Sequence, residues 1–244
     1  MSKIISKIIS ASDKLYFRFN QGKLTHRAKL SEEFTITCHA GSFGTKANSL
    51  ESLQTAVDWK ADIVEFDVSF RPDGTAVIIH DSAPSMNQGV LLDDALKIVA
   101  SVDKCKINLD IKSTANLPEV DKLVLKHGLG ERVFYTGVFE DWVDTVRNSS
   151  SIPYYLNHKI TAEEATNKKQ ALEIINKTKQ LGAIGINSHY MFATKQFSDW
   201  VHESGLLLSL WTVNRQKDMV KVIETEPDNI TTKKPDILKM IAYK

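Results

Sequence analysis

The sequence predicts an α/β fold, a closed TIM (β/α)8 barrel of eight parallel strands with helices outside. Three observations carry this. From residue 34 onward, short apolar or β-branched runs alternate with segments of helical period, as parallel strands joined by helical crossovers must. The 244 residues show no long linker, repeat or shift in composition, and single barrels commonly have this length. Ionisable residues gather at the matching ends of three strands, where such barrels carry their chemistry. An open doubly wound sheet is the alternative, but no glycine-rich phosphate loop follows the first strand.

Composition narrows the class. Hydrophobic residues make up 42% and charged residues 25%, enough for a sizeable core and typical of a globular chain. A formal charge of +1 gives no basic surplus, so nucleic acid is not an expected partner. Cys38 and Cys105, the only cysteines, each fall in an expected strand with no metal-binding spacing, and read as buried thiols. In residues 1–10, Lys7 breaks the apolar run and Ile4, Ile5, Ile8 and Ile9 keep helical spacing, unlike a secretory signal. Residues 1–33 are therefore expected to form a helical extension packed on the barrel, with 34–244 as one barrel domain. No stretch reaches the roughly eighteen apolar residues of a membrane span; a cytoplasmic protein without a transmembrane segment is expected.

The elements follow in order. Phe34 to His39 is a β-branched run ending at His39-Ala40-Gly41. A helix follows from Leu50 to Trp59, capped by Asn48 or Ser49. Val64 to Phe70 is the second strand, and Arg71-Pro72-Asp73-Gly74 is a turn signature leading into a return strand, Thr75 to Asp81. This hairpin is an arm between the second strand and its helix at residues 91–99. Lys106 to Lys112 is the third strand, Arg132 to Thr136 the fourth, Pro153 to Leu156 the fifth and Ala183 to Asn187 the sixth. Leu206 to Thr212 is the seventh and Asp228 to Thr231 a short eighth, with helical periods between.

Side chains alternate faces along a strand, so Glu65 and Asp67 share one side while Val64, Phe66 and Val68 take the other. Two close carboxylates resist ionising together unless a cation lies between them, which is how a hard, oxygen-ligated metal site is built. Counted from the Asp73-Gly74 turn, His80 is as far out as Asp67 and is expected beside it. Asn108, Asp110 and Lys112 share one face of the third strand, and His39 ends the first. Three carboxylates without a cysteine suit Mg²⁺ or Ca²⁺, and the Lys112 ammonium suits a phosphate. Two histidines could then serve opposite sides of a phosphorus centre as acid and base. Phosphodiester cleavage is the expected chemistry, with a small-molecule phosphodiester as substrate. At later strand ends Tyr135, His158, Asn187 and His189 are expected to be ordinary loop or core residues, although a pocket role is open to them.

These residues resemble the glycerophosphodiester phosphodiesterases, metal-dependent barrel enzymes, from about residue 34 to 236. His39-Ala40-Gly41 resembles the family's His-Arg-Gly, and Asn48-Ser49-Leu50 the end of its Pro-Glu-Asn-Thr-Leu. Glu65-Phe66-Asp67-Val68 is similar to its Glu-x-Asp-Val, and Asp73-Gly74 to His80-Asp81 to its Asp-Gly-x-x-Val-x-x-His-Asp. Asp110-Ile111-Lys112 takes the place of Glu-x-Lys, Trp211-Thr212-Val213-Asn214 resembles a late Trp-Thr-Val-Asn, and Ile230-Thr231-Thr232 with Pro235-Asp236 resembles Ile-Thr-Asp-x-Pro. The resemblance implies that His39 and His80 are acid and base, that Glu65, Asp67 and Asp110 bind metal, and that Lys112 and Trp211 bind substrate. It implies hydrolysis to glycerol 3-phosphate and an alcohol, within glycerol and lipid metabolism. Ala40 and Ala47 stand where the family has Arg and Glu, and Asp110 is one methylene shorter than the usual glutamate. A divergent member is expected. A sphingomyelinase D-like lyase giving a cyclic phosphate and a non-catalytic barrel that binds phosphorylated ligands are the alternatives.

Overall fold

The computed structural model describes residues 30–243. The helix expected near the start, and most of the 1–33 extension, lie outside the described residues. Eight parallel strands close a barrel: β1 (Thr35–Cys38), β2 (Ile63–Phe70), β5 (Lys106–Ile111), β6 (Val133–Val138), β7 (Tyr154–Asn157), β8 (Gly185–His189), β9 (Leu207–Trp211) and β10 (Asn229–Thr232). Closure is made by β1, which pairs in parallel with β10 on one side and with β2 on the other. Helices α1 (Leu50–Asp58), α2 (Leu92–Ala100), α3 (Leu117–Lys126), α4 (Val143–Ser149), α5 (Lys168–Gln180), α6 (Lys195–Glu203), α7 (Gln216–Ile223) and α8 (Pro235–Ala242) form the outer layer. Among the described residues no helix is long and apolar enough to cross a membrane.

The packing follows the residue pattern. All eight residues of β2 are buried, because one face meets the helices and the other the barrel interior. Helix α1 starts at Ser49, whose hydroxyl accepts from the Ser52 N–H, and buries Leu53, Ala56 and Val57. Part of the barrel interior is polar and satisfied within itself: Asn229 Oδ1 accepts from the hydroxyls of Thr37 and Ser209, joining β10 to β1 and β9. Cys38 ends β1, whereas Cys105 precedes β5 by one residue instead of lying within it; both thiols are free and buried. Burial pushes the Cys105 thiol up to about 11 and Cys38 further still.

The arm after β2 differs from the simple hairpin expected. Its return strand is only β3 (Ala76–Ile78), and a third short strand, β4 (Val90–Leu91), adds to it antiparallel. The β2–β3 register pairs Val68 with Ile78, and the Ile79 N–H donates to Asp67 O. Asp67 therefore faces Ile79, one residue short of His80. The cause is the turn, which closes between Arg71 and Thr75 around three loop residues, with Gly74 left-handed at φ 83°. Arg71 latches the arm by donating to the carbonyls of Gln88 and Gly89, and Asn116 donates to Gly74 O.

Candidate active site

The C-terminal strand ends surround a cavity of about 660 Å³. His39, Glu65, Asp67, His80, Asp110, Lys112 and Trp211, the seven residues singled out in the sequence, all line it. Strand β2 supplies Glu65 and Asp67 on one face, as its alternation requires, and β5 supplies Asn108 and Asp110 in register, with Glu65 opposite Asn108 and Asp67 opposite Asp110. His80 reaches the cavity from just past the end of β3, where the ladder no longer fixes its side.

Glu65 is held by the main chain, whereas Asp67 and Asp110 share Lys112. Glu65, 4% exposed, accepts the Ala40 N–H at 2.8 Å, which ties the loop after β1 to β2. Asp67, 5% exposed, accepts from Asn48 Nδ2 at 2.6 Å and from Lys112 Nζ at 3.0 Å. Asp110 takes Lys112 Nζ at 2.6 Å and the Thr136 hydroxyl at 3.2 Å. Burial, then the neighbouring Asp67 and Asp110, push the Glu65 carboxyl well above the usual carboxylate range. Burial works against the Lys112 ammonium, but Asp110 and Asp67 outweigh it and hold it above the ordinary lysine value.

One oxygen from each of Glu65, Asp67 and Asp110 lies within 4.8 Å of the others. Oxygens bound to a common Mg²⁺ or Ca²⁺ at about 2.0–2.6 Å can be no further apart than about 4–5 Å. The donor set fits a hard divalent cation in chemistry as well. It is all carboxylate, no thiol lines the cavity, and the Lys112 ammonium pairs with two of its three acids, Asp67 and Asp110.

His39 is oriented by its main chain. Its Nδ1 lies 2.9 Å from the Ala40 carbonyl, an acceptor only, so Nδ1 carries the proton and Nε2 keeps its lone pair. Burial lowers its pKa, which favours the neutral ring.

A sequence profile of the glycerophosphoryl diester phosphodiesterase family matches residues 39–99 and 83–237. The chain belongs to this family. A glycerophosphodiester phosphodiesterase of Caldanaerobacter subterraneus is 23% identical over 235 residues, covering 83% of this chain and 95% of that one. Among solved structures, a glycerophosphodiester phosphodiesterase from Parabacteroides distasonis superposes with a TM-score of 0.65 at 20% identity, covering 86% of this chain and 97% of that one. An Oleispira antarctica phosphodiesterase in complex with its product sn-glycerol-3-phosphate gives a TM-score of 0.66 at 16% identity, covering 87% and 96%. The low identities mark a divergent phosphodiesterase-family chain on a shared barrel.

Within this phosphodiesterase barrel, several cavity residues carry no clear sequence signal. Lys233, after β10, brings a second ammonium to the cavity. Asn157 and Asn187 share its floor. The Gly137 N–H donates to Asn157 Oδ1, which also accepts from Asn187 Nδ2, so Asn157 turns its NH₂ and Asn187 its oxygen elsewhere. Asn187 lines the cavity, His158 and His189 line an adjoining recess, and Tyr135 is fully buried. Gly137 itself is required: a Cβ there would stand 2.5 Å from Asp110 Oδ1, and its φ is 76°. Neither Ala40 nor Ala47 is among the residues that line the cavity.

Proposed function

We propose that the chain hydrolyses a glycerophosphodiester to glycerol 3-phosphate and an alcohol, using a divalent metal and two histidines. The observation that carries this reading is the convergence of three carboxylates, two ammonium groups and two imidazoles on one cavity, in a chain of the phosphodiesterase family. Glu65, Asp67 and Asp110 would hold Mg²⁺ or Ca²⁺, which supplies positive charge to polarise the phosphate and offset its developing negative charge. Lys112 and Lys233 hold phosphate oxygens from the protein side, and the Trp211 ring walls the substrate. Neutral His39, with its Nε2 lone pair free, takes the proton from the attacking water. His80, on the arm, gives a proton to the leaving alkoxide oxygen. The oriented Nδ1–H···O=C contact of His39 favours this division of labour over the reverse. Residues 34–244 form the catalytic unit.

A panel of glycerophosphodiesters assayed with Mg²⁺, with Ca²⁺ and with chelator tests the reading, with product analysis for glycerol 3-phosphate. The expected result is metal-dependent release of glycerol 3-phosphate. A cyclic phosphate product would replace hydrolysis by the lyase reaction, and no metal-dependent turnover on any diester would reject an enzymatic role.

A further inference from the structure

The cavity is polar at its floor and apolar at its rim. Phe139 follows β6 and is 52% exposed, while Met191 and Phe192 follow β8 and are 66% and 38% exposed. Apolar side chains left in water on the lip of a site give up stabilisation that burial would provide. Phe139 and Met191, with Trp211, line a recess of about 430 Å³ that adjoins the acid cavity, and the two share Phe139, Asn157, Asn187 and Trp211.

The back wall of the recess is rigid. His189 stacks on Tyr190 at 4.7 Å and meets Trp211 edge-on at 5.6 Å. Its Nδ1 accepts the Met191 N–H, and the Tyr190 hydroxyl donates to Asp218. At the mouth, Phe139 packs edge-on against Trp142 at 6.4 Å. Such preformed aromatic walls lose little freedom when a ligand fills them.

The recess is also selective by charge. Its lining holds no carboxylate, and Lys159 adds an exposed ammonium. A cationic alcohol would gain ring faces but meet the like charge of Lys159, with no carboxylate in the lining itself and the nearby Glu164 taken up by His158. An uncharged hydrocarbon meets no such penalty and covers the exposed rings.

We infer that the alcohol side of the substrate is an uncharged apolar group, alkyl or aryl, seated between Phe139, Met191 and the His189–Trp211 wall. This rests on the phosphodiesterase reading, because the recess acquires a substrate role only by adjoining the phosphate site. The hydroxylated glycerol side takes the polar floor, and the released alcohol leaves over the rim.

The test is a series of glycerophosphate esters of methanol, butanol and octanol, with the choline ester alongside, each below its micelle concentration. In the native chain kcat/KM is expected to rise by about two- to fourfold per methylene, with the choline ester no better than the methyl ester. Phe139→Ser and Met191→Ser should flatten the rise, so that the octyl ester loses most of its kcat/KM advantage over the methyl ester. A flat series, or the choline ester preferred to butyl, overturns the inference. Calorimetric binding of the same esters separates the two readings. If none is cleaved but octyl binds more tightly than methyl, and the variants lose that difference, the recess stands while the hydrolytic reading falls. Equal binding of all esters overturns the recess.

Discussion

Asn48 and Asp67 are joined by two hydrogen bonds of opposite sense: Asn48 Nδ2 donates to Asp67 Oδ2 at 2.6 Å, and the Asp67 N–H donates to Asn48 Oδ1 at 3.0 Å. One carboxamide thereby fixes both the side chain and the backbone of a proposed metal ligand. Asn48 sits at φ 52°, a left-handed conformation that asparagine tolerates and glycine adopts freely. Asn48→Gly therefore keeps the turn and removes only the amide. Divalent-metal affinity should fall about 10- to 100-fold, as for other residues that orient ligands, with little change in melting temperature. Unchanged affinity by calorimetry would show that Asp67 needs no such support.

Lys112 and Lys233 should separate into different roles. Lys112 Nζ contacts both Asp67 and Asp110, so it opposes an incoming cation while attracting phosphate. Lys112→Met should tighten metal binding by about tenfold or more and yet lower turnover. Lys233 is exposed and has no ion pair to the three acids. Lys233→Met should leave metal affinity alone and raise KM by up to about fivefold, the scale of an exposed charge. Weaker metal binding in Lys112→Met would contradict this assignment.

How much of this was legible in the sequence depended on distance along the chain. Period-two alternation was enough to put Glu65 with Asp67, and Asn108 with Asp110 and Lys112, because strand geometry carries that information locally. The barrel followed from eight strand-like runs alternating with segments of helical period. The register of the arm was missed by one residue, since Pro72-Asp73-Gly74 closes as a three-residue loop whose centre is Asp73, and a tetrapeptide signature does not fix loop length. Asn157 and Lys233 were not legible as site residues, and Asn187 only as a strand-end residue to which a pocket role was open. Each is a single polar residue near a strand end, and β10 reaches the site only because it pairs with β1 across the closed barrel. Asn48 was read as a possible helix cap; Ser49 caps instead, which leaves Asn48 for Asp67.

Stability should depend on pH through a pair far in sequence from these acids. His202 on α6 lies 2.9 Å from Asp228 Oδ2, and that oxygen also accepts the Leu208 N–H at 2.7 Å. The hydrogen bond to Asp228 raises the His202 pKa above its ordinary value, with Asp199 adding to this and burial and Lys195 opposing it. The folded state thus binds the proton more tightly than the unfolded chain. The stabilisation is complete below the unfolded value of about 6.5 and is lost as pH rises through the raised folded value. Because the histidine side chain is 36% exposed, the effect should stay under about 1 kcal/mol after solvent screening. Melting temperature measured from pH 6 to 9 should fall less in His202→Gln than in the native chain; identical slopes would remove the pair from the account.

The two histidines test whether the cavity performs general acid and base chemistry. His39 presents Nε2 because its Nδ1 faces the Ala40 carbonyl, and His80 comes from the arm, on a separate chain segment. A phosphodiester held by Lys112 and Lys233 can therefore have one imidazole for the attacking water and one for the departing oxygen. Positioned proton transfer is worth about two to four powers of ten in rate, so His39→Ala and His80→Ala should each lower kcat by that order. Neither histidine is among the three carboxylates proposed to bind metal, so both variants should retain divalent-cation affinity. The roles can be told apart by the leaving group. With an ester of an acidic alcohol such as p-nitrophenol, the departing oxygen needs little protonation. His80→Ala should then recover most of its lost rate, while His39→Ala, still lacking its base, should not. If both variants recover equally, or if neither loses activity on an ordinary glycerophosphodiester, the histidines only pack the cavity and the metal site alone must activate the water.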